Sequence, residues 1–122
     1  MYSADEIDQW ISEINRMPIL SNALSRLDYR RVGLRITRGG SVIKEYTSTA
    51  GNGRIESIRE GIDNPEFVAR IEEQDLAEII GQREWIMQNP GKAAVRYWKT
   101  VKLPLSVRLK LGSIILKGIK NA

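Results

Sequence analysis

The side chains that most often do chemistry are missing from this 122-residue chain, which has no cysteine and no histidine. Without cysteine there is no disulfide, no thiolate nucleophile and no thiolate metal ligand. Without histidine the commonest general base and the commonest transition-metal ligand are gone. The remaining acids lie scattered along the chain, with no calcium-loop spacing and no nucleophile–base pair among them. They read as solvated faces. The sequence therefore points away from an enzyme, and neither a metal nor another cofactor is expected.

The cations are distributed more tellingly. The formal net charge is +4, and from Gly91 onward every charged side chain is basic: Lys92, Arg96, Lys99, Lys102, Arg108, Lys110, Lys117 and Lys120. The first ninety residues are acidic overall. Such an asymmetry suggests an anionic partner at the C-terminal end. Three readings stay open. The run can be a solvated face. The interleaved Arg96-Tyr97-Trp98-Lys99 has the rings and charges that single-stranded nucleic acid uses, but no recognised nucleic-acid-binding motif accompanies it, which makes this the weaker reading. An anionic membrane surface is the third, because basic residues beside apolar ones are what an interfacial helix needs.

The length fits one domain with a single core. No apolar run is long enough to span a bilayer, and the acidic N-terminus (Asp5, Glu6, Asp8) has no signal-peptide pattern, so a cytoplasmic home is expected. Ser3 and Glu6 form a capping box ahead of Ile7, Trp10, Ile11 and Ile14 at helical spacing. Pro18 ends that helix and opens a second, with Leu20, Ala23, Leu24 and Leu27 on one stripe. Period two follows over Tyr29 to Thr37, Val42 to Thr49, Arg54 to Ile62 and Glu66 to Ile71, with turns at Arg38-Gly39-Gly40-Ser41, Ala50-Gly51-Asn52-Gly53 and Asp63-Asn64-Pro65. Short turns make the first three strands an antiparallel meander. Helical spacing returns at Asp75 (Leu76, Ile79, Ile80), with Gly81 where a helix C′ residue belongs. Gln82 to Gln88 is a short helix carrying Trp85, Ile86 and Met87. After Asn89-Pro90-Gly91, Lys92 to Val101 reads as a fifth strand, with Tyr97 and Trp98 on opposite faces. Pro104 opens a last helix, Leu105 to Ile119. Val107, Leu111, Ile114, Ile115 and Ile119 line one side of it, and Leu105, Leu109 and Leu116 a second.

That order of elements, with Asp75-Leu76-Ala77-Glu78-Ile79-Ile80-Gly81, Gly91-Lys92 and the closing Leu-rich helix, resembles the sterol carrier protein 2 (SCP2)-like domain over Tyr29 to Ile119. The resemblance implies an α/β fold of the α+β type, a five-stranded mostly antiparallel sheet with helices packed on one face. The chain is then expected to be a single SCP2-like domain over 1–122, in which the helical pair of 1–28, read from its own capping and spacing and longer than the minimal domain of that family, precedes the sheet and C-terminal helices of 29–122. Family members enclose an apolar tunnel and bind sterols, acyl chains or other lipids without catalysis. Carried over, the ligand wall would be Phe67, Ile71, Leu76, Ile80, Trp85, Ile86, Leu111, Ile114 and Ile115. Arg108, Lys110 and Lys117 would contact an anionic surface.

Each of those apolar residues has a plainer reading. Leu76, Ile79 and Ile80 are spaced as ordinary core residues. Trp85 and Met87 can cap a core as well as adapt to a ligand. A helix apolar on more than one side can cover a cavity, lie fully buried or join a second copy of the chain. The leading expectation is a lipid-binding or carrier module, and the alternative is an interaction protein whose last helix forms a dimer or partner interface.

Overall fold

Ser3 starts the first helix as its sequence requires. Its Oγ accepts from the Glu6 amide at 3.1 Å, and Glu6 Oε1 accepts from the Ser3 amide at 3.3 Å. The helix, α1 (Ala4–Asn15), buries Ile7 and Ile11, and Trp10 meets Tyr2 edge-on at 4.7 Å. In this computed structural model the described residues are 2–16, 29–51 and 54–120, without the side chains of 51, 54–56 and 114–120. The expected second helix, with Leu20, Ala23, Leu24 and Leu27, and the turn at Asn52-Gly53 lie outside the described residues.

Four strands follow: β1 (Arg31–Arg38), β2 (Ser41–Gly51), β3 (Arg54–Glu60) and β4 (Phe67–Glu72). The β1–β2 turn uses Gly39 and Gly40, both at positive φ (58° and 85°), as a tight hairpin twisted like its strands requires. β1, β2 and β3 form the expected antiparallel meander. β4 does not extend it. It pairs with β1 in parallel, Val32 opposite Phe67 and Ile36 opposite Ile71, which gives the order β3-β2-β1-β4.

To reach that position the chain crosses the sheet in 61–66. Thr47 Oγ1 donates to the Gly61 carbonyl at 2.7 Å and accepts from the Asp63 amide at 2.9 Å, and the Glu66 amide reaches the Arg31 carbonyl at 2.9 Å. The crossing passes over Gly33. A Cβ there would lie 3.2 Å from both Ile62 Cδ1 and Pro65 Cγ, a close approach at which the neighbouring side chains would have to give by a few tenths of an ångström.

The expected fifth strand is absent among the described residues; the sheet of four is mixed, with two antiparallel pairings and one parallel, and so stays mostly antiparallel as expected. Lys92 to Arg96 instead belongs to a helix over Pro90–Arg96, and the sole remnant of strand pairing in this stretch is a bridge between Lys102 and Arg70. Pro90 supplies a pre-set φ at the first helical position, and Lys92, Ala93 and Ala94 favour helix. Ala93 and Tyr97, read as alternate strand positions, are also i, i+4 neighbours on a helix. Tyr97 and Trp98 accordingly follow the helix and do not face opposite sides of a strand.

The helices after the sheet are α2 (Glu73–Gly81), α3 (Arg83–Gln88), α4 (Pro90–Arg96) and α5 (Leu105–Lys120). Gly81 is the last helical residue of α2 and Gln82 its cap; Gly81 is not at positive φ. The core sits between one sheet face and α1 with α2, where Ile7, Ile11, Ile36, Tyr46, Ile71 and Leu76 are buried together. A second, smaller cluster joins Ile86 and Ala93 to Ile14, Ile79, Trp85 and Tyr97.

Candidate functional site

The nine expected ligand-wall residues separate into groups. Ile71 and Leu76 lie in the main core, with Leu76 only 1% exposed. Ile80 is buried at the C-terminal end of α2. Trp85 and Ile86 belong to the second cluster. Phe67, at the start of β4, meets Tyr29 edge-on with ring centroids 4.9 Å apart. Leu111 is half-buried on α5, and the side chains of Ile114 and Ile115 lie outside the described residues.

α5 is held to the body by rings and cations. Gly112 lets the helix approach Trp98, whose Cη2 would be 3.1 Å from an added Cβ. Arg108 stacks on Trp98 at 5.6 Å and donates to the Val101 carbonyl at 3.1 Å. Lys110 lies over Tyr29 at 5.4 Å, which ties α5 to the Tyr29–Phe67 pair. Arg96 covers Trp85 and Tyr97 at 5.3 and 5.4 Å. The cations that sequence reading assigned to an anionic surface therefore include two, Arg108 and Lys110, already engaged with aromatic faces, a contact worth about 0.5–1 kcal/mol at an exposed site. The Lys117 side chain lies outside the described residues.

The same helical end leaves large apolar side chains in water. Met87 on α3 is 56% exposed, Val95 on α4 64%, and Leu105 and Leu109 on α5 71% and 66%. Leu105 and Leu109 are i, i+4 neighbours on one side of α5, while Val107 is buried on the other. α5 is thus apolar toward the body and toward solvent.

Polar groups elsewhere are arranged for structure. The Tyr46 hydroxyl donates to Asp8, and Lys44 bridges Asp8 at 3.1 Å and Glu60. Burial first, and the Asp8 carboxylate second, push the Tyr46 phenol far above its ordinary range. It stays protonated and cannot serve as a base. The Tyr46 hydrogen bond, followed by that from Lys44, lowers the Asp8 carboxyl. Glu72 accepts from Thr37 Oγ1 at 2.7 Å and from the Gly40 and Gly39 amides at 2.9 and 3.0 Å, which lower its pKa. Among the described residues no group of three acids is placed to hold a metal ion, and no helix is long and apolar enough to cross a membrane.

No protein-family model and no curated protein matches the chain. Among solved structures there is a likeness to the sterol carrier protein 2 of Aedes aegypti, determined in solution as a complex with the C16 fatty acid palmitate. The chain is similar to it at 18% sequence identity. The match covers 80% of this chain and 91% of that chain, with a TM-score of 0.40. At that identity and TM-score the likeness fixes neither family nor ligand.

What sequence reading missed is that two cations of the sheet, Arg35 on β1 and Arg70 on β4, come together with Lys99 and Lys102 of the basic C-terminal run, in the link between α4 and α5. Alternation marked Arg35 and Arg70 as wet-face residues, but their side-by-side placement depends on the parallel pairing of β1 and β4.

Proposed function

We propose that the chain is a non-catalytic binding or carrier module for a hydrophobic small molecule: a lipid, an acyl chain or a sterol-like compound. The carrying observation is the exposure of Met87, Val95, Leu105 and Leu109 on three successive helices, with Leu105 and Leu109 i, i+4 neighbours on α5. A single exposed leucine is ordinary, whereas several on successive helices mark a surface with a partner. Phe67, Trp85 and Leu111, with Ile114 and Ile115, form the ligand wall in this reading. Ile80 and Ile86 back it, and Ile71 and Leu76 belong to the core beneath. The basic residues of α5, Arg108, Lys110 and Lys117, bring the module to an anionic membrane surface, the first two from their places over Trp98 and Tyr29.

Native mass spectrometry of the purified protein before and after organic extraction tests the reading. A co-purifying mass lost on extraction, and restored by adding a fatty acid, supports it. A protein that arrives empty and takes up no fatty acid or sterol rejects it. The i, i+4 spacing of Leu105 and Leu109 also favours a second reading, a homodimer through α5. A concentration-dependent dimer that Leu109→Ser dissociates, in a protein that takes up no lipid, is its signature.

A further inference from the structure

The sheet face turned away from α1 carries a rank of charge. Arg35 stands opposite Glu45 on β2 and opposite Arg70 on β4. Arg70 in turn exchanges two backbone hydrogen bonds with Lys102: its amide reaches the Lys102 carbonyl at 3.0 Å, and the Lys102 amide reaches the Arg70 carbonyl at 2.7 Å. Residues directly opposite on paired strands project to the same face. Glu45, Arg35, Arg70 and Lys102 therefore form one line across the sheet. Glu45 is used by Arg35, Oε2 to Nε at 2.8 Å. Arg70 and Lys102 are both exposed, and neither has an ion-pair partner among the described residues. Like charges set directly opposite destabilise a pair of strands unless something negative lies between them.

A cleft of about 180 Å³ opens at the β4 edge of this rank, where Lys99 and Thr100 join Arg70 and Lys102, with Thr37, Gly40 and Ile71, in lining it. Two carboxylates, Glu72 and Asp75, also reach it. Glu72 is committed to Thr37, Gly39 and Gly40, with its acceptor capacity turned to the β1–β2 hairpin. Asp75 leaves the cleft with three cations against two carboxylates, still positive on balance. The chemistry on offer is one guanidinium fork, two ammonium groups and a hydroxyl, which suits a multiply charged tetrahedral oxyanion better than a single carboxylate.

We propose that the cleft between Arg70, Lys99 and Lys102 binds a phosphate group. Arg70 supplies the forked donor, Lys99 and Lys102 flank it, and the Thr100 hydroxyl donates a further hydrogen bond. The site stands on charge geometry and does not depend on the apolar reading of the helical end. The phosphate has two available sources, a free soluble phosphate or a phospholipid headgroup. Lys99 to Lys102 link α4 to α5, the helices with exposed Val95, Leu105 and Leu109, so a headgroup here would leave its chains beside apolar side chains.

The test is a titration of the full chain with inorganic phosphate at constant ionic strength, followed by amide chemical shifts. A parallel arm measures binding to phosphatidylcholine vesicles with and without phosphatidic acid. Arg70→Gln and Lys102→Gln are compared with Arg59→Gln, on the same face but opposite Thr47 and away from the cleft. The expected result is saturable binding that weakens about tenfold or more in each cleft variant, the scale of one lost charge-assisted hydrogen bond, and is unchanged in Arg59→Gln. Thermal melts confirm that the variants fold. Saturation by inorganic phosphate assigns a soluble source, and binding only to phosphatidic acid vesicles assigns the headgroup. No saturable response in either arm, or a response that persists in both cleft variants, overturns the site.

Discussion

Arg38 and Glu73 meet end to end, Nε to Oε1 at 2.6 Å and Nη2 to Oε2 at 2.9 Å, with Glu73 buried. The same Nη2 donates to the Tyr2 carbonyl at 3.0 Å. One guanidinium thus ties the end of β1 to the first turn of α2 and to the residues that lead into α1. The carboxylate also sits where the amides of the first helical turn favour negative charge. Removing Arg38 leaves a buried carboxylate without its counter-ion, whereas removing both groups leaves neither stranded. Arg38→Met is expected to lower Tm more than the Arg38→Met, Glu73→Leu pair does, and a double-mutant cycle measured by thermal unfolding checks it.

The same pair sets an acid dependence. Hydrogen bonding to Arg38, more than the Arg38 charge itself, holds the Glu73 carboxyl below its ordinary value of 4.5. A depressed folded-state pKa contributes stability that is present above the unfolded value and lost as pH falls through the folded one. Wild type should therefore exceed Glu73→Gln in Tm at neutral pH, and the gap should close below about pH 4.5 as the carboxyl protonates. A gap that stays constant from pH 7 to pH 3 rejects this assignment.

Gly33 is expected to resist a bulky side chain. An added Cβ would lie 3.0 Å from Val68 Cγ2 and 3.2 Å from Ile62 Cδ1 and Pro65 Cγ, so three side chains would have to give way at once. Gly33→Val should cost about 1–3 kcal/mol, as overpacking does, measured by urea unfolding. An equivalent change at Gly39 acts through its positive φ instead, since nothing lies within 4 Å of its Cβ position.

Leu105 and Leu109 separate function from stability. Their exposure means that Leu105→Ser with Leu109→Ser should leave Tm within about 0.5 kcal/mol of wild type in stability terms, while lipid uptake falls. Val107, buried on the opposite side of α5, gives the contrast: Val107→Ser should destabilise the fold. Uptake unchanged in the double serine variant would place the ligand elsewhere.

Trp85 is expected to report on ligand, because its half-buried ring lies in α3 between Gly81 and Pro90, under Arg96. A fluorescent fatty acid should quench or shift tryptophan emission, and Trp85→Phe should remove most of the change. Should the signal survive there and disappear in Trp10→Phe, the contact is with α1.

Local chemistry determined the elements whose signals are carried by neighbouring residues. Ser3 with Glu6 fixed the start of α1 and Gly39-Gly40 fixed the hairpin; alternation from Val32 to Ile36 marked the face of β1 that meets the core, but Gly33 and Thr37 on its other face, expected to be wet, are buried as well. The helical spacing of Leu76, Ile79 and Ile80 marked α2 for the same reason. Lys92 to Val101 carries both signals, because Ala93 and Tyr97 satisfy a strand and a helix period; the part up to Arg96 is helix, opened by Pro90, and 97–101 is turn and bend. The strand order was not legible. No local pattern says that β4 will leave β3, cross above Gly33 and pair with β1 in parallel. Only that long-range pairing, with the bridge from Lys102 to Arg70, sets Arg35, Arg70 and Lys102 side by side. Burial divided the expected ligand wall in the same way: Ile71 and Leu76 meet Ile7 and Ile11 of α1, a contact between residues more than fifty positions apart that hydrophobicity alone leaves undetermined.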